Sequence, residues 1–445
     1  MRRAVAAYHA LLEDGSLAEE SAEALREGQR ERNLVFGDHP LCIALRPQLL
    51  ERPRYRAAAE ASHAVYGALR TLERALLRDS DLRRELDLEP EEERLALAEP
   101  GVRSSSPSAR LDGFYSDRLR YVEYNAESPA GMAYSDNLSE VFADLPVMRA
   151  FRKRYRLRAL KVRDRQLAVM LRAFRQWGKE TTPVVAIVDW RGLPTVAEFE
   201  MFRESFERRG IRAVICDPAE LEYREGRLVA DGTPVNLVYR RVLTTELLAR
   251  GDAVRALRDA YLDGAACVVN TFRAKLLHKK MSLALLSDDR YASLYSPEHR
   301  RAIARHIPWT RRVAEGRTTH GGKPVADLSA FILDRRETLV LKPNDEYGGK
   351  GVVLGWTVSP EEWEQSLLVA LTQSYVVQEA VPVPRESFPV ALEGVAFLDL
   401  AIDMDPYLFD GKVTGCLTRL SSSALLNVTA GAGSIVPAYV VEGPA

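Results

Sequence analysis

The chain has no apolar run approaching the roughly 18 residues that a membrane helix needs, which excludes a spanning helix on length alone. Cysteine is scarce: Cys42, Cys216, Cys267 and Cys416 lie far apart with no Cys-x-x-Cys pair, which argues against a disulfide framework or a zinc knot and leaves four small buried hydrophobes. Net charge is nearly absent as well. Lys plus Arg number 62 against 63 for Asp plus Glu, a formal charge of -1, so no overall basic field recruits nucleic acid or anionic lipid, and any anionic ligand must be held locally. Internal repeats and low-complexity tracts are missing, which sets aside solenoids and arrays. The basic opening of the chain is interrupted by His9, Glu13 and Asp14 before a secretory apolar segment forms, and a mature helix of a cytoplasmic protein is expected there.

What is present is 445 residues, 46% hydrophobic and 28% charged, enough for two or three packed units. Residues 1–105 read as an all-helical N-terminal region, with apolar residues at helical spacing in RAAAEASHAVYGALRTLERALL. The Gly-, Ser- and Pro-containing GVRSSSPSAR marks a boundary. Residues 106–180 carry a hairpin and then one basic connecting helix. Residues 181–269 alternate strand-like VVAIVDW, RAVICD and VNLVYRRV with a helix and a short hairpin, the pattern of a small α/β unit with a largely parallel sheet. Residues 270–445 turn from helix to a strand-rich α+β lobe.

Four segments carry polar residues in patterns that suit chemistry. In ARLDGFYSDRLRYVEYNAESPAG a turn centred at Asp117-Arg118 sets Asp112 opposite Glu123 and Arg110 opposite Asn125, all on one face. Facing carboxylates repel unless a cation lies between them, and Asp112, Glu123 and the Asn125 amide form an oxygen-only set that suits Mg²⁺; the competing reading is a solvated hairpin face. In TLVLKPNDEYGGKGVVLGW a strand ends at Lys342 and a loop with Gly348, Gly349, Lys350 and Gly351 leads to another strand, so it is not a Walker loop, yet its bare amides and lysines suit phosphate. Its glycines and lack of apolar anchors predict a loop that is mobile without nucleotide. In SYVVQEAVPVP, Gln378 and Glu379 on an apolar strand could meet a nucleobase and ribose, though taken alone an ordinary core strand is the better reading. In KVTGCLTRLSSSALLNVTAGAGSIVP, Arg419 followed by Asn427, Gly431 and Gly433 could hold a phosphoryl group.

Together these segments resemble the ATP-grasp superfamily of carboxylate-amine ligases, in an unusual order. The Asp112…Glu123-Tyr124-Asn125…Pro129 piece precedes the rest and the chain stops soon after Arg419…Asn427…Gly433, which is similar to the circularly permuted branch that includes glutathionylspermidine synthetase and the eukaryotic type of glutathione synthetase. The resemblance covers about residues 108 to 131 and 270 to 440, and it lacks any amidase domain. It implies an α+β fold with an α/β subdomain and a helical N-terminal region, with ATP and Mg²⁺ as cofactors. It further implies metal ligation by Asp112, Glu123 and Asn125, contact of Arg110 with the transferring phosphoryl group, and a nucleotide lysine at Lys342. Gln378 to Val381, with Glu379, match the adenine hinge. An earlier nucleotide lysine falls in FRAKLLHKKM, with Lys275 chosen and Lys279 as runner-up. Catalysis is assigned to Arg110, Lys342 and Arg419, and Asn427 joins the nucleotide set. Arg240 and Arg241, where a strand of the α/β unit ends, are expected to grip the substrate carboxylate. The expected activity is amide-bond formation through an acyl phosphate; a silent ATP-binding scaffold and a phosphotransferase are the competing readings. Expected partners are a small-molecule or peptide carboxylate and an amine, with no nucleic acid or membrane, and a homodimer is left open.

Overall fold

The computed structural model describes the chain except for Asp14, Asp38, residues 424–432 and Ala445. The N-terminal region is built around helix Arg52–Arg78, which buries Ala58, Val65, Leu69, Leu72 and Leu76 along one stripe. Proline in its first turn costs no hydrogen bond, and the helix stops at Asp79, whose carboxylate accepts from the Asp81 and Leu82 N–H groups at 2.9 and 3.0 Å and so caps the next helix, Ser80–Arg84. This region is not wholly helical. Gln48–Glu51 forms a strand parallel to Ala438–Pro444, so the two ends of the chain share a sheet. The other edge of that sheet is Tyr155–Ala159, which breaks the expected connecting helix into Pro146–Arg152 and Arg163–Trp177. The sequence YRLRA alternates apolar and basic side chains with period two, and that pattern prevails over the helical propensity of its arginines.

Four parallel strands in the order Cys267–Val269, Leu237–Arg240, Val185–Val188 and Ala213–Cys216 make the α/β subdomain. Val185, Ile187, Leu237 and Tyr239 face one hydrophobic cluster while Ala186, Val188 and Val238 face another, so both sides of the sheet are dry and its strands read as continuous apolar runs.

Downstream, the antiparallel sheet Thr310–Arg312, Tyr375–Glu379, Leu339–Pro343 and Val353–Leu354 is backed by helix Pro360–Thr372. Trp309, Ile332, Leu341, Trp363 and Val377 fill the space between them. Ser359 and Glu362 close a capping box at the helix start. A second antiparallel sheet joins distant parts of the chain: Lys412–Leu417, Asp405–Phe409, Ser108–Tyr115 and Leu119–Asn125. A third holds Arg385–Ala391, Val395–Ile402, Arg419–Ser421 and Ser434–Ile435. Among the described residues no helix is long and apolar enough to cross a membrane.

Candidate active site

The hairpin Ser108–Asn125 sets the geometry. Arg110 pairs with Asn125 and Asp112 with Glu123, but beyond Asp112 the register slips by one, Gly113 facing Tyr121 and Tyr115 facing Leu119. The loop is therefore centred at Asp117, and Val122 is the extra residue of a β-bulge. The bulge aims the Val122 carbonyl at Lys342, whose Nζ donates to it at 3.2 Å. Gly113 permits the tight approach, since a Cβ there would lie 2.5 Å from the Arg120 carbonyl oxygen.

Asp112 lies at the centre of a buried charge cluster. Arg110 donates to both its oxygens at 2.7 and 3.0 Å, Asn125 Nδ2 donates at 3.0 Å, and Arg419 from the neighbouring sheet donates at 3.0 Å. Burial alone would raise the Asp112 pKa, yet Arg110 and Arg419 outweigh it and hold the carboxyl below its ordinary range. Arg419 also donates its Nε to Asp403 at 2.6 Å and lies 2.9 Å from Asp405, whose other oxygen accepts from the Gly113 N–H at 3.0 Å. Asp403 and Asp405 are pushed up, by burial first and by the neighbouring carboxylates in turn, because three acids here share two arginines.

On the facing side the sheet that contains Leu339–Pro343 presents Lys342. Its Nζ also donates to Gln378 Oε1 at 2.7 Å, and Gln378 in turn donates to Thr310 at 3.0 Å. Burial lowers the Lys342 pKa to about 8, with Lys280 adding to the effect and Glu123 opposing it. Lys280 is the lysine that shares this space. Its Nζ lies 3.5 Å from Glu123 and donates to the Glu346 carbonyl at 2.5 Å.

Lys275 is bound by protein acceptors. Its ammonium donates to Asp345 and Thr245 at 2.6 Å each and lies 3.4 Å from both Glu92 and Glu127. Lys279 is held by Glu92 at 2.8 Å and by the Asp87 carbonyl at 2.7 Å. Both expected choices are thus cross-links between the helical region and the lobe. The helix breaks at Lys279 and turns Lys280 the other way, which a continuous helical reading of KLLHKKMSLALLSD misses.

The arginine pair is likewise committed elsewhere. Arg240 is fully buried, 3.0 Å from Glu127, with further donors on the Asn270, Thr271 and Val242 carbonyls. Arg241 donates to the Pro129 carbonyl at 2.8 Å and to Tyr239, beside Glu198. In place of the expected substrate carboxylate, these guanidiniums meet protein acceptors. Glu379 meets His320 at 2.7 Å where a ribose contact was expected. The irregular segment beyond it, Ala380 to Val383, lines a cleft of about 400 Å³ with Trp356 and Arg385.

Gly348, Gly349 and Gly351 all adopt the left-handed backbone their residue type allows. At Gly351 a Cβ would also strike Pro343 at 2.7 Å. The loop is anchored by polar contacts where mobility was expected: Asp345 to Lys275 and Thr245, and Tyr347 to Glu246 at 2.8 Å. The Lys350 ammonium donates to Glu346 of the same loop, at 3.0 Å. Asn427 and Gly431 lie outside the described residues.

Asp403, Asp405 and Lys280 are the residues that sequence reasoning missed. A signal existed for the acids, since two carboxylates inside the apolar stretch AIDMDPYLF must be paired if buried. Asp112 and Glu123 are oxygen donors of the kind Mg²⁺ takes. Among the described residues no three His, Cys, Asp or Glu side chains converge to hold a metal alone. The donors therefore fit Mg²⁺ as it usually binds, through one or two carboxylates with phosphate and water completing the shell.

No family model matches the chain. It is similar to an uncharacterized protein of Mycobacterium leprae, 26% identical over 341 residues, 72% of this chain and 56% of that protein. It is also similar to an uncharacterized protein of Mycobacterium tuberculosis, 24% identical over 457 residues, 95% of this chain and 78% of that one. The chain thus spans little more than half the length of the first of these relatives. Among solved structures it is similar to a glutathione synthetase-like effector from Globodera pallida in its apo form, with a TM-score of 0.59 and 13% identity, covering 96% of this chain and 98% of that one. The chain shares its fold with that glutathione synthetase-like effector.

Proposed function

We propose that the protein is an ATP- and Mg²⁺-dependent ligase that joins a carboxylate to an amine on a circularly permuted ATP-grasp framework. The observation that carries this reading is the meeting of two sheets: the nucleotide-lobe sheet brings Lys342, and the helix break Lys280, against a hairpin face bearing Asp112, Glu123, Asn125 and Arg110. The permuted order is supported by the pairing of Ser108–Tyr115 with Asp405–Phe409. Lys280 and Lys342 would hold the phosphates in the ground state, while Arg110 and Arg419 neutralise the phosphoryl oxygens as charge moves. Asp112, Glu123 and Asn125 would hold Mg²⁺, which when bound supplies further charge neutralisation. The cleft beside Ala380 to Val383 would take the base.

In this scheme a substrate carboxylate oxygen attacks the γ-phosphorus and ADP leaves, giving an acyl phosphate. The amine nitrogen then attacks the acyl carbon, phosphate leaves, and the nitrogen loses its proton. Positioning does most of the catalytic task. The test is incubation with ATP, Mg²⁺, pooled carboxylic acids and hydroxylamine. Acid-dependent ADP release with a trapped hydroxamate supports the proposal. ATP binding with no ADP formed under any acid contradicts it and favours a silent ATP-binding protein.

A further inference from the structure

We infer that the Gly-rich loop is clasped by the α/β subdomain and that this clasp opposes nucleotide entry. The inference rests on the reading of Lys280 and Lys342 as phosphate-binding lysines. Two loop residues are gripped from a single turn. Thr245 donates to Asp345 Oδ2 at 2.7 Å, and the adjacent Glu246 accepts from the Tyr347 hydroxyl at 2.8 Å. Both belong to the start of helix Thr244–Ala249. Glu246 is itself fixed on its other oxygen by the Trp190 indole N–H at 3.2 Å, and Asp345 is fixed on its other oxygen by Lys275 at 2.6 Å.

Between the two grips the loop turns the Glu346 carbonyl onto Lys280 Nζ at 2.5 Å. The clasped loop therefore takes up one of the three N–H donors of the ammonium and stands where a phosphate oxygen would approach it. Tyr347 is 53% exposed, so apolar packing contributes little to its position and the hydroxyl contact carries most of it. A ligand that binds only the unclasped loop has its affinity reduced by the fraction of molecules that are unclasped, and weakening the clasp raises that fraction.

The experiment measures ATP affinity in the presence of Mg²⁺ by equilibrium dialysis, and tryptic cleavage after Lys350 without nucleotide, for wild type, Tyr347→Phe, Glu246→Ala and the double variant. Tyr347→Phe should tighten ATP binding about threefold, the worth of one modest hydrogen bond, and the double variant should bind no more tightly than Glu246→Ala alone. Loop cleavage should speed up in every variant. A merely destabilised fold would weaken ATP binding, so tightening is the diagnostic direction. Unchanged or weaker binding in both single variants overturns the clasp. If wild type binds no ATP, the ligase reading fails, and the clasp is judged by cleavage alone: equal cleavage rates in wild type and Tyr347→Phe overturn it.

Discussion

Lys342 sits where burial and the proposed phosphate role pull on the same proton. Its pKa is lowered to about 8, so the unfolded chain binds more protons than the folded one between pH 8 and the ordinary lysine range. Stability without nucleotide should therefore rise through that window, relative to Lys342→Met, while ATP affinity falls by up to about tenfold per pH unit as the ammonium is lost. Opposite signs in chemical denaturation and in nucleotide titration are the expected outcome; parallel trends would count against a phosphate role. Arg240 is the contrasting case. With Glu127 it forms a fully buried pair, and Thr244 and Lys275 also bind that carboxylate. Removing the guanidinium in Arg240→Ala leaves a buried charge short of a partner, and urea unfolding should show a loss of about 3–5 kcal/mol. Intact stability with a raised KM for a carboxylate would restore the substrate role instead. The strand-end position of Arg240 was visible in the sequence; the acid that claims it was not, because Glu127 is 113 residues away along the chain.

The hairpin carries the site as an element. Its facing pairs, Arg110 with Asn125 and Asp112 with Glu123, follow from strand alternation and a turn near Asp117, which is why they were legible in the sequence. The bulge at Val122 was not legible, since a one-residue insertion changes no residue type, and its consequence, a carbonyl aimed at Lys342, depends on a sheet more than two hundred residues downstream. Gly113→Ala should force the Arg120 carbonyl away, lowering stability by about 1–3 kcal/mol and weakening ATP binding together. Calorimetry of the variant with and without Mg²⁺-ATP measures both; lost stability with unchanged nucleotide affinity would separate the bulge from the site. The strand Tyr155–Ala159 was hidden for another reason, five residues of alternation lying between two true helices.

At the scale of the whole molecule, the site exists only because distant segments meet: residues 108–125, the break at Lys279, the end of strand Leu339–Pro343, and Asp403 to Arg419. Periodicity revealed most of these elements one by one, including the parallel sheet of the α/β subdomain. Which lysine faces the acids was decided by tertiary placement. Lys275 and Lys279 were drawn into a buried network with Glu92, Glu127 and Asp345 that ties the N-terminal region to the lobe. The central claim is that nucleotide phosphates lie between Lys280, Lys342 and the hairpin face. Its most direct test is the shift in melting temperature caused by Mg²⁺-ATP in wild type, Lys280→Met and Lys342→Met, since a ligand that binds the native state raises its stability by mass action. The account predicts a clear rise in wild type and loss of most of that rise in each variant; full retention of the shift in both variants would contradict it.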